Sequence, residues 1–238
     1  GKPWRLAKLR TDTCYIGISF FHNKLNPDND VETSMAQVFT HNGQGIVLRG
    51  KDVVVDQKTK QPHMSERQML DLIQKSIRMY EDVAKRNPTR VVIHKTSSFW
   101  EDEKKGANAA VGKSASDLIT ITKQHALRFL RSGSYPVLRG TMITLSDDKC
   151  LLYTSGYIPR IRTYPGLRVP QPLLITRIGD SELFEVCREI MGLTKINWNT
   201  TAFATAMPIT LEFSRRVGNV LSEIDETVEL QDHYRFYM

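Results

Sequence analysis

The stretch VVIHKTSSFWEDE, residues 91–103, passes from a short apolar run into a polar and acidic segment. Its apolar start predicts a buried strand, because β-branched residues pack well inside a sheet. The preceding segment, 65–87, has apolar residues at helical spacing and Ser65 as its N-cap. A helix followed by a buried strand predicts an α/β domain. The polar end of such a strand, beside a cluster of acids, is typical of the edge of an active site.

The rest of the chain alternates between the same two periods. Strands are predicted at 13–21 and 117–123, hairpins at 34–50 and 140–156, helices at 180–193 and 207–224, and an extended, partly irregular, proline-rich crossing at 157–179. The segment 104–113 is interpreted as a flexible basic loop. This order predicts an α/β fold, namely a ribonuclease-H-like mixed sheet flanked by helices.

The overall charge favours a polyanionic partner. The chain has 238 residues, of which 40% are hydrophobic and 25% charged, and these fractions are usual for a globular protein. Its formal net charge is +7 and its pI about 9.3, which favour a polyanionic partner, most simply nucleic acid. The alternative interpretation is a soluble surface that happens to be basic. No apolar run approaches the roughly 18 residues of a membrane span, so we expect no membrane partner.

The cysteines predict a reducing compartment. Cys14, Cys150 and Cys187 are odd in number and far apart in sequence, so they form no metal-binding pair and no disulfide framework. We interpret each as a small core residue. Because the N-terminal segment also lacks the apolar core of a signal peptide, we expect a cytoplasmic protein.

Four segments, in order, resemble one known family. KPWRL (2–6) resembles the entry into its domain, YIGISF (15–20) its first strand, VVIHKTSSFWEDEKKG (91–106) a later catalytic strand, and GLTKINWNTTAFATAMPITLEFSRRVGNVL (192–221) its C-terminal region. The chain therefore resembles the PIWI domain of Argonaute proteins, particularly the prokaryotic ones. The resemblance implies that residues 1–238 form a PIWI domain, and that the MID domain, which precedes PIWI in the family, is absent from this chain.

The resemblance also implies that the catalytic acids are replaced. Nucleases of this fold hold two divalent cations with carboxylates at strand ends and on a helix. The three matching positions in this chain are Ser19, Thr96 and Phe213. Hydroxyl groups and a phenyl ring are poor ligands for a hard cation. We therefore expect no catalytic metal and no nuclease activity.

Two alternatives remain open at this point. Displaced ligands, for example Glu101 and Glu212, would make the protein a metal-dependent, guide-directed nuclease. Asp102 and Glu103 belong to the same acidic run as Glu101, which we interpret as a solvated helix start or loop. The other alternative is a protein-interaction scaffold for an effector, in which the duplex channel has no role.

Several polar residues are candidates for binding a nucleic-acid backbone. They are Arg215 and Arg216 on the late helix, Lys195, Asn197 and Asn199 in the turn before it, Lys95 and Ser97 at the rim of the former active site, and Arg160 and Arg162 in a basic, aromatic-interleaved segment. By resemblance, the terminal carboxylate of Met238 is a candidate ligand for a magnesium ion that helps hold the 5′ phosphate of a guide. An ordinary buried tail is the competing interpretation.

The resemblance implies the partners. They are a guide strand, expected to be RNA, a target strand, expected to be DNA, and a MID domain supplied in cis or in trans. Inactive prokaryotic members of the family serve in defence against invading DNA and signal to an associated effector protein.

Overall fold

A mixed β-sheet forms the centre of the protein. The computed structural model describes residues 12–21, 32–39, 45–49, 53–56, 58, 61–124, 126–164, 169–197 and 204–223. The strands are β1 (Thr13–Phe21), β2 (Glu32–Phe39), β3 (Gly45–Arg49), β4 (Val54–Val55), β5 (Pro62–His63), β6 (Arg90–Lys95), β7 (Ala115–Lys123), β8 (Met142–Ser146), β9 (Lys149–Leu152) and β10 (Leu173–Gly179). The helices are α1 (Glu66–Ala84), α2 (Glu101–Val111), α3 (Leu183–Leu193) and α4 (Ile209–Leu221).

The strand order combines a parallel centre with antiparallel flanks. Eight of the described strands pair in the order β3-β2-β1-β6-β7-β10-β9-β8, and β4 pairs with β5 separately. β1, β6 and β7 run parallel to one another. Parallel neighbours need a crossover connection, and α2 lies in the one between β6 and β7. The predicted mixed sheet is confirmed.

Helices cover both faces of the sheet. On β6, Val91 and Ile93 pack into a cluster that includes Met69 of α1 and Ala107 of α2. The intervening Val92 belongs to the opposite cluster, with residues of α3 and α4. Successive residues of a strand point to opposite faces, so the central strands are buried on both sides. The sheet therefore separates an α1–α2 layer from an α3–α4 layer.

Local sequence signals account for the start of α1 and for the β8–β9 hairpin. The Oγ of Ser65 accepts a hydrogen bond from the Gln68 backbone N–H at 3.3 Å, and the Gln68 side chain accepts one from the Ser65 N–H at 2.8 Å. This reciprocal capping box satisfies two N–H groups that the helix itself cannot pair. Asp147 and Asp148 connect β8 to β9 within the predicted hairpin at 140–156.

The prediction of a flexible loop at 104–113 is wrong. Most of it belongs to α2, which spans Glu101–Val111. Gly106 allows α2 to approach α1, because a Cβ at this position would lie 2.3 Å from the Glu66 carbonyl oxygen. Gly106 is therefore a site of close helix packing.

The proline-rich crossing is confirmed in its described part, which contains a 3-10 turn at Pro159–Ile161 before β10 begins. Pro208 directly precedes α4, in agreement with the predicted start of the late helix. Among the described helices, none combines the length and the apolar character needed to cross a membrane.

Candidate functional site at the carboxyl edge of the sheet

One edge of the sheet collects the ends of several strands. The parallel strands β1, β6 and β7 all end there, at Phe21, Lys95 and Lys123. Antiparallel pairing brings Leu173 of β10 opposite Lys123, and Leu152 of β9 opposite Leu173. The connections at 96–100, 124–141 and 153–172 therefore leave from this edge. We call it the carboxyl edge.

Two of the positions that the family resemblance singles out lie side by side at this edge. Ile18 pairs with Lys95 in the parallel register. The residues that follow them, Ser19 and Thr96, therefore lie next to each other at the ends of neighbouring strands. The Ser19 hydroxyl is buried without a hydrogen-bond partner, whereas Thr96 is exposed. The site thus presents hydroxyl groups where neighbouring strand ends converge.

α4 lies along the same face of β1. A Cβ at Gly17 would be 2.1 Å from the Thr210 carbonyl oxygen, and one at Gly218 would be 3.3 Å from the Phe21 Cβ. The helix therefore runs in the direction of β1, with Phe213 between these two contacts. Phe213 is completely buried in the core that α3 and α4 share with the sheet. At the third position that the family resemblance singles out, the Phe213 ring therefore contributes to core packing.

His94 lies beneath the site in a buried, neutral state. Its Nδ1 is 2.8 Å from the Thr210 Oγ1, which links β6 to the start of α4. Burial is the main cause that lowers the pKa of His94 to about 3, and the charge of the nearby Arg90 guanidinium contributes to that shift. An uncharged imidazole therefore helps to position α4 above the strand ends.

Lys95 does not reach the surface, and the predicted contact with nucleic acid is wrong. Its side chain points to the α1–α2 layer and is 0% exposed. The Nζ donates to Glu103 Oε2 at 2.6 Å, and the rings of Phe20 and Phe99 lie 5.3 and 5.2 Å from it. Burial lowers the pKa of Lys95, while the Glu103 carboxylate opposes that shift. Alternation along β6 is the physical reason, because Lys95 shares its face with Val91 and Ile93.

Glu103 is buried, although the sequence analysis predicted a solvated acid at this position. It is fully buried on α2 and accepts hydrogen bonds from the backbone N–H groups of Met64, at 3.0 Å, and Trp100, at 2.9 Å. His63 stacks on Trp100, with ring centroids 3.7 Å apart. Lys95 and Glu103 therefore form a buried ion pair that holds α2 against the end of β6.

Two further predicted contacts also face inward. Ser97 is 8% exposed and its hydroxyl is buried, and Asn197 is 6% exposed. Asn197 is buried because the turn after α3 packs into the core together with Ile196. The structure contradicts the prediction that these side chains contact a backbone at the surface.

Glu101 and Glu212, the proposed displaced ligands, do not converge. Glu101 lies on α2, where its carboxylate accepts a hydrogen bond from Lys104 that lowers the pKa of Glu101. Glu212 lies on α4, on the opposite face of the sheet. Within the described residues, no group of three or more His, Cys, Asp or Glu side chains could hold a metal ion.

Arg215 and Arg216 lie on α4 as predicted and pair with the same acid. Their guanidinium groups are 3.3 and 3.4 Å from the Glu212 Oε1. The Arg215 side chain is 62% exposed and that of Arg216 is 39% exposed. Both can therefore still reach a ligand, at the expense of surface ion pairs that contribute little to stability.

Arg160 and Arg162 are exposed in a tight turn at the carboxyl edge. Arg162 adopts a left-handed conformation, with φ 47°, at the end of the 3-10 turn. The neighbouring Tyr157 stacks on Tyr135 with a centroid distance of 4.1 Å, and the guanidinium of Arg131 lies 5.9 Å from the Tyr157 ring. Arg131 and Tyr135 were not selected by the sequence analysis. They lie on the 124–141 connection, and only the tertiary structure brings them to Tyr157.

Lys195 is exposed after the end of α3 and lies near Arg139. Burial lowers the pKa of Lys195, and the Arg139 charge adds to that shift. Arg139 in turn donates to the Thr194 Oγ1 at 2.6 Å. The exposed cations at the end of β7, on the connections of this edge and after α3 form what we call the basic surface, comprising Lys123, Arg128, Arg131, Arg160, Arg162 and Lys195. Asn199 and Met238 lie outside the described residues.

Comparisons by sequence find nothing similar, whereas comparisons by structure do. No protein-family model and no curated protein sequence matches the chain. The chain is similar to Clostridium butyricum Argonaute bound to a guide DNA and a 19-mer target DNA, with a TM-score of 0.70 and 16% identity over 90% of this chain and 28% of that chain. It is also similar to Marinitoga piezophila Argonaute in complex with a 5′ OH guide RNA, with a TM-score of 0.64 and 16% identity over 97% of this chain and 32% of that one.

A third solved structure gives the same result. A. aeolicus Argonaute has a TM-score of 0.69 and 16% identity over 96% of this chain and 31% of that chain. At this identity the likeness establishes the fold, which is the ribonuclease-H-like α/β fold of Argonaute PIWI domains. The predicted fold class is confirmed, and the chain spans about a third of the length of these structures or less.

Proposed function

We propose that this chain is the PIWI part of an Argonaute-type protein that supports guide-directed binding of a target nucleic acid without cutting it. One observation carries the proposal, namely that the basic surface borders strand ends that present Ser19 and Thr96 instead of carboxylates. Of the similar solved structures, that of Clostridium butyricum Argonaute contains a guide DNA and a target DNA, and that of Marinitoga piezophila Argonaute contains a guide RNA. A guide–target duplex is therefore the ligand that we expect for this surface.

The chemistry of the basic surface suits a polyanion. Lysine and arginine side chains neutralise phosphates and release condensed counterions, so the affinity falls steeply as salt rises. The stacked rings of Tyr135 and Tyr157, with Arg131 above Tyr157, offer a sequence-tolerant platform for bases. Arg215 and Arg216 on α4 would add phosphate contacts.

The proposal of inactivity depends on the ligand chemistry of three positions. Ser19 and Thr96 offer neutral hydroxyls and Phe213 offers a hydrocarbon ring, whereas a two-metal nuclease needs several carboxylates. We expect no catalytic magnesium here. A magnesium ion at the Met238 carboxylate and the guide 5′ phosphate remains part of the proposal.

The proposed partners follow from the same hypothesis. They are an RNA guide, a DNA target, a MID domain in cis or in trans, and an effector protein in cytoplasmic defence against invading DNA.

A protein-interaction scaffold is the second candidate. Several large apolar side chains are exposed, and the two most exposed among the described residues are Leu130, at 81% near the basic surface, and Phe184, at 64% on α3. Such side chains are typical of interaction surfaces when they cluster. Partner binding that does not change with salt would favour this function over backbone recognition.

The experiment is a binding titration with the purified chain. Labelled, 5′-phosphorylated single strands and guide–target duplexes of DNA and RNA are titrated at several salt concentrations, with manganese in parallel samples to detect cut products. We expect salt-dependent binding and no cleavage. Changing Arg160 and Arg162 together to Met should reduce the slope of log affinity against log salt by about 1.8 on B-DNA. Lys75→Met, an exposed lysine on α1, is the matched control.

The contrary results are equally specific. Cut products that disappear in Glu101→Gln or Glu212→Gln would show that the chain is a nuclease with displaced ligands. Binding that is unaffected by salt and by both arginine substitutions would exclude the basic surface as the interface.

A further inference from the structure

Two cysteines that are far apart in sequence meet in the core of the α3–α4 layer. Cys150 lies on β9 and Cys187 on α3, and their Sγ atoms are 3.2 Å apart. Both side chains are buried. A disulfide bond needs a sulfur–sulfur distance of about 2.05 Å, so the two sulfurs need to approach by only about 1.2 Å. The tertiary structure therefore places two thiols within reach of each other, where the sequence indicated isolated core residues.

A cavity gives one of the two sulfurs access to small molecules. It has a volume of about 160 Å³ and is lined mainly by apolar side chains, including those of Cys187, Met142, Met191 and Phe184. A site for one water needs roughly 10–15 Å³ on a comparable measure, so hydrogen peroxide fits. Phe184 at the cavity is largely exposed. Cys187 is thus accessible to a small oxidant, whereas Cys150 does not line this cavity.

Cys14 provides the internal contrast. It is completely buried in the opposite α1–α2 layer. The other two cysteines of the chain both belong to the α3–α4 layer, so Cys14 has no second thiol beside it with which to form a disulfide.

We infer that Cys150 and Cys187 form an oxidisable thiol pair, a modification site at which hydrogen peroxide produces a disulfide between β9 and α3. The Cys187 sulfur attacks one peroxide oxygen, which gives a sulfenic acid and one water. The Cys150 sulfur then attacks the sulfenic sulfur, and the displaced hydroxyl leaves as a second water with the Cys150 proton. Two thiols lose two electrons and two protons, and the peroxide is reduced to two waters.

The disulfide has a definite mechanical consequence. It would connect residues separated by 37 positions and would fasten α3 to the sheet. A crosslink of this kind stabilises chiefly by restricting the unfolded chain. We expect the oxidised protein to melt roughly 5 °C above the reduced protein, and a thiol reductant to reverse the change.

The test uses the folded wild-type chain and hydrogen peroxide. After a short exposure, catalase removes the peroxide, the protein is denatured, and free thiols are alkylated with a maleimide. We expect a mass loss of two hydrogens, one alkylated thiol in place of the three in the reduced chain, and a peptide that joins Cys150 to Cys187. Dithiothreitol should restore all three thiols.

Single substitutions distinguish the two sulfurs. Cys150→Ser should leave Cys187 to be oxidised further, to a sulfinic acid that adds two oxygens. Cys187→Ser should leave Cys150 unmodified, and Cys14→Ser should still form the disulfide. A crosslink to Cys14, a disulfide that forms only in denaturant, or three alkylated thiols in peroxide-treated wild type would overturn the inference. A disulfide that forms only in denaturant and the retention of three alkylated thiols are both measured on the wild-type chain. The inference can therefore be refuted even if a serine variant fails to fold.

Discussion

Replacing Lys95 with Met separates a structural role of this lysine from a binding role. Lys95 and Glu103 are both 0% exposed, and Glu103 accepts hydrogen bonds from Lys95 and from two backbone N–H groups. In Lys95→Met the carboxylate keeps the two backbone donors but loses its counter-ion inside the core. Removing one partner of a buried ion pair typically costs 3–5 kcal/mol, because the remaining charge is uncompensated. We expect a loss of about that size in the free energy of unfolding.

The double variant gives the magnitude a stricter test. Lys95→Met combined with Glu103→Gln removes both charges and keeps an amide oxygen for the Met64 and Trp100 N–H groups. Neutral replacements of a whole buried pair are often tolerated. The double variant should therefore be more stable than Lys95→Met by roughly 2 kcal/mol or more, although it carries one more substitution.

The assay combines urea unfolding with nucleic-acid titration. Lys123→Met is the matched control, since Lys123 ends the neighbouring strand β7 but is exposed. It should change the free energy of unfolding by no more than about 0.5 kcal/mol and reduce the salt slope on B-DNA by about 0.9. Lys95→Met, or the double variant if the single one is unfolded, should bind with the wild-type slope. Wild-type stability in Lys95→Met, or a slope reduced as in Lys123→Met, would refute the reasoning.

Three further predictions concern the site and its support. The pKa of His94 is lowered to about 3, so below pH 6.5 the unfolded state binds a proton that the folded state does not. Stability should then fall as the pH drops from about 6.5 towards 3. His94→Gln lacks this proton uptake, so its free energy of unfolding relative to wild type should be higher at pH 5 than at pH 8 by roughly 2 kcal/mol, as measured by urea unfolding. Gly17→Ala should destabilise the protein by about 1–3 kcal/mol or more, because its Cβ would lie 2.1 Å from the Thr210 carbonyl oxygen; a melting temperature equal to wild type would show that α4 shifts freely. Arg160→Met should weaken binding to DNA duplexes of unrelated sequence equally, since phosphate contacts carry no sequence information, and a loss confined to one sequence in a panel of duplexes would indicate a base contact instead.

Local order was predictable because it depends on near neighbours in the chain. The Ser65–Gln68 capping box, the turn at Asp147 and the proline before α4 each act within a few residues. The order of strands and helices that follows from such signals was enough to predict an α/β mixed sheet. α2 was the exception, because Gly106 reads as a loop residue until α1 is placed beside it.

The candidate site was predictable in position but only partly in its side chains. The resemblance selected Ser19 and Thr96, and the register of β1 and β6 places them on neighbouring strand ends. Lys95 was assigned to the wrong side. A strand that is buried on both faces has no polar face to reveal its orientation, so the pattern 90–95 could not show that Lys95 points towards α2.

The sequence by itself determined the periodicities, the caps and the excess of positive charge, because these are properties of single residues and their near neighbours. Only the tertiary structure decided which distant residues meet. It brings Arg90 to within 2.7 Å of both Asp117 and Glu189, and Cys150 to within 3.2 Å of Cys187. Such pairs depend on strand order, on crossovers and on the layer in which each helix packs, and none of these is encoded in a local pattern.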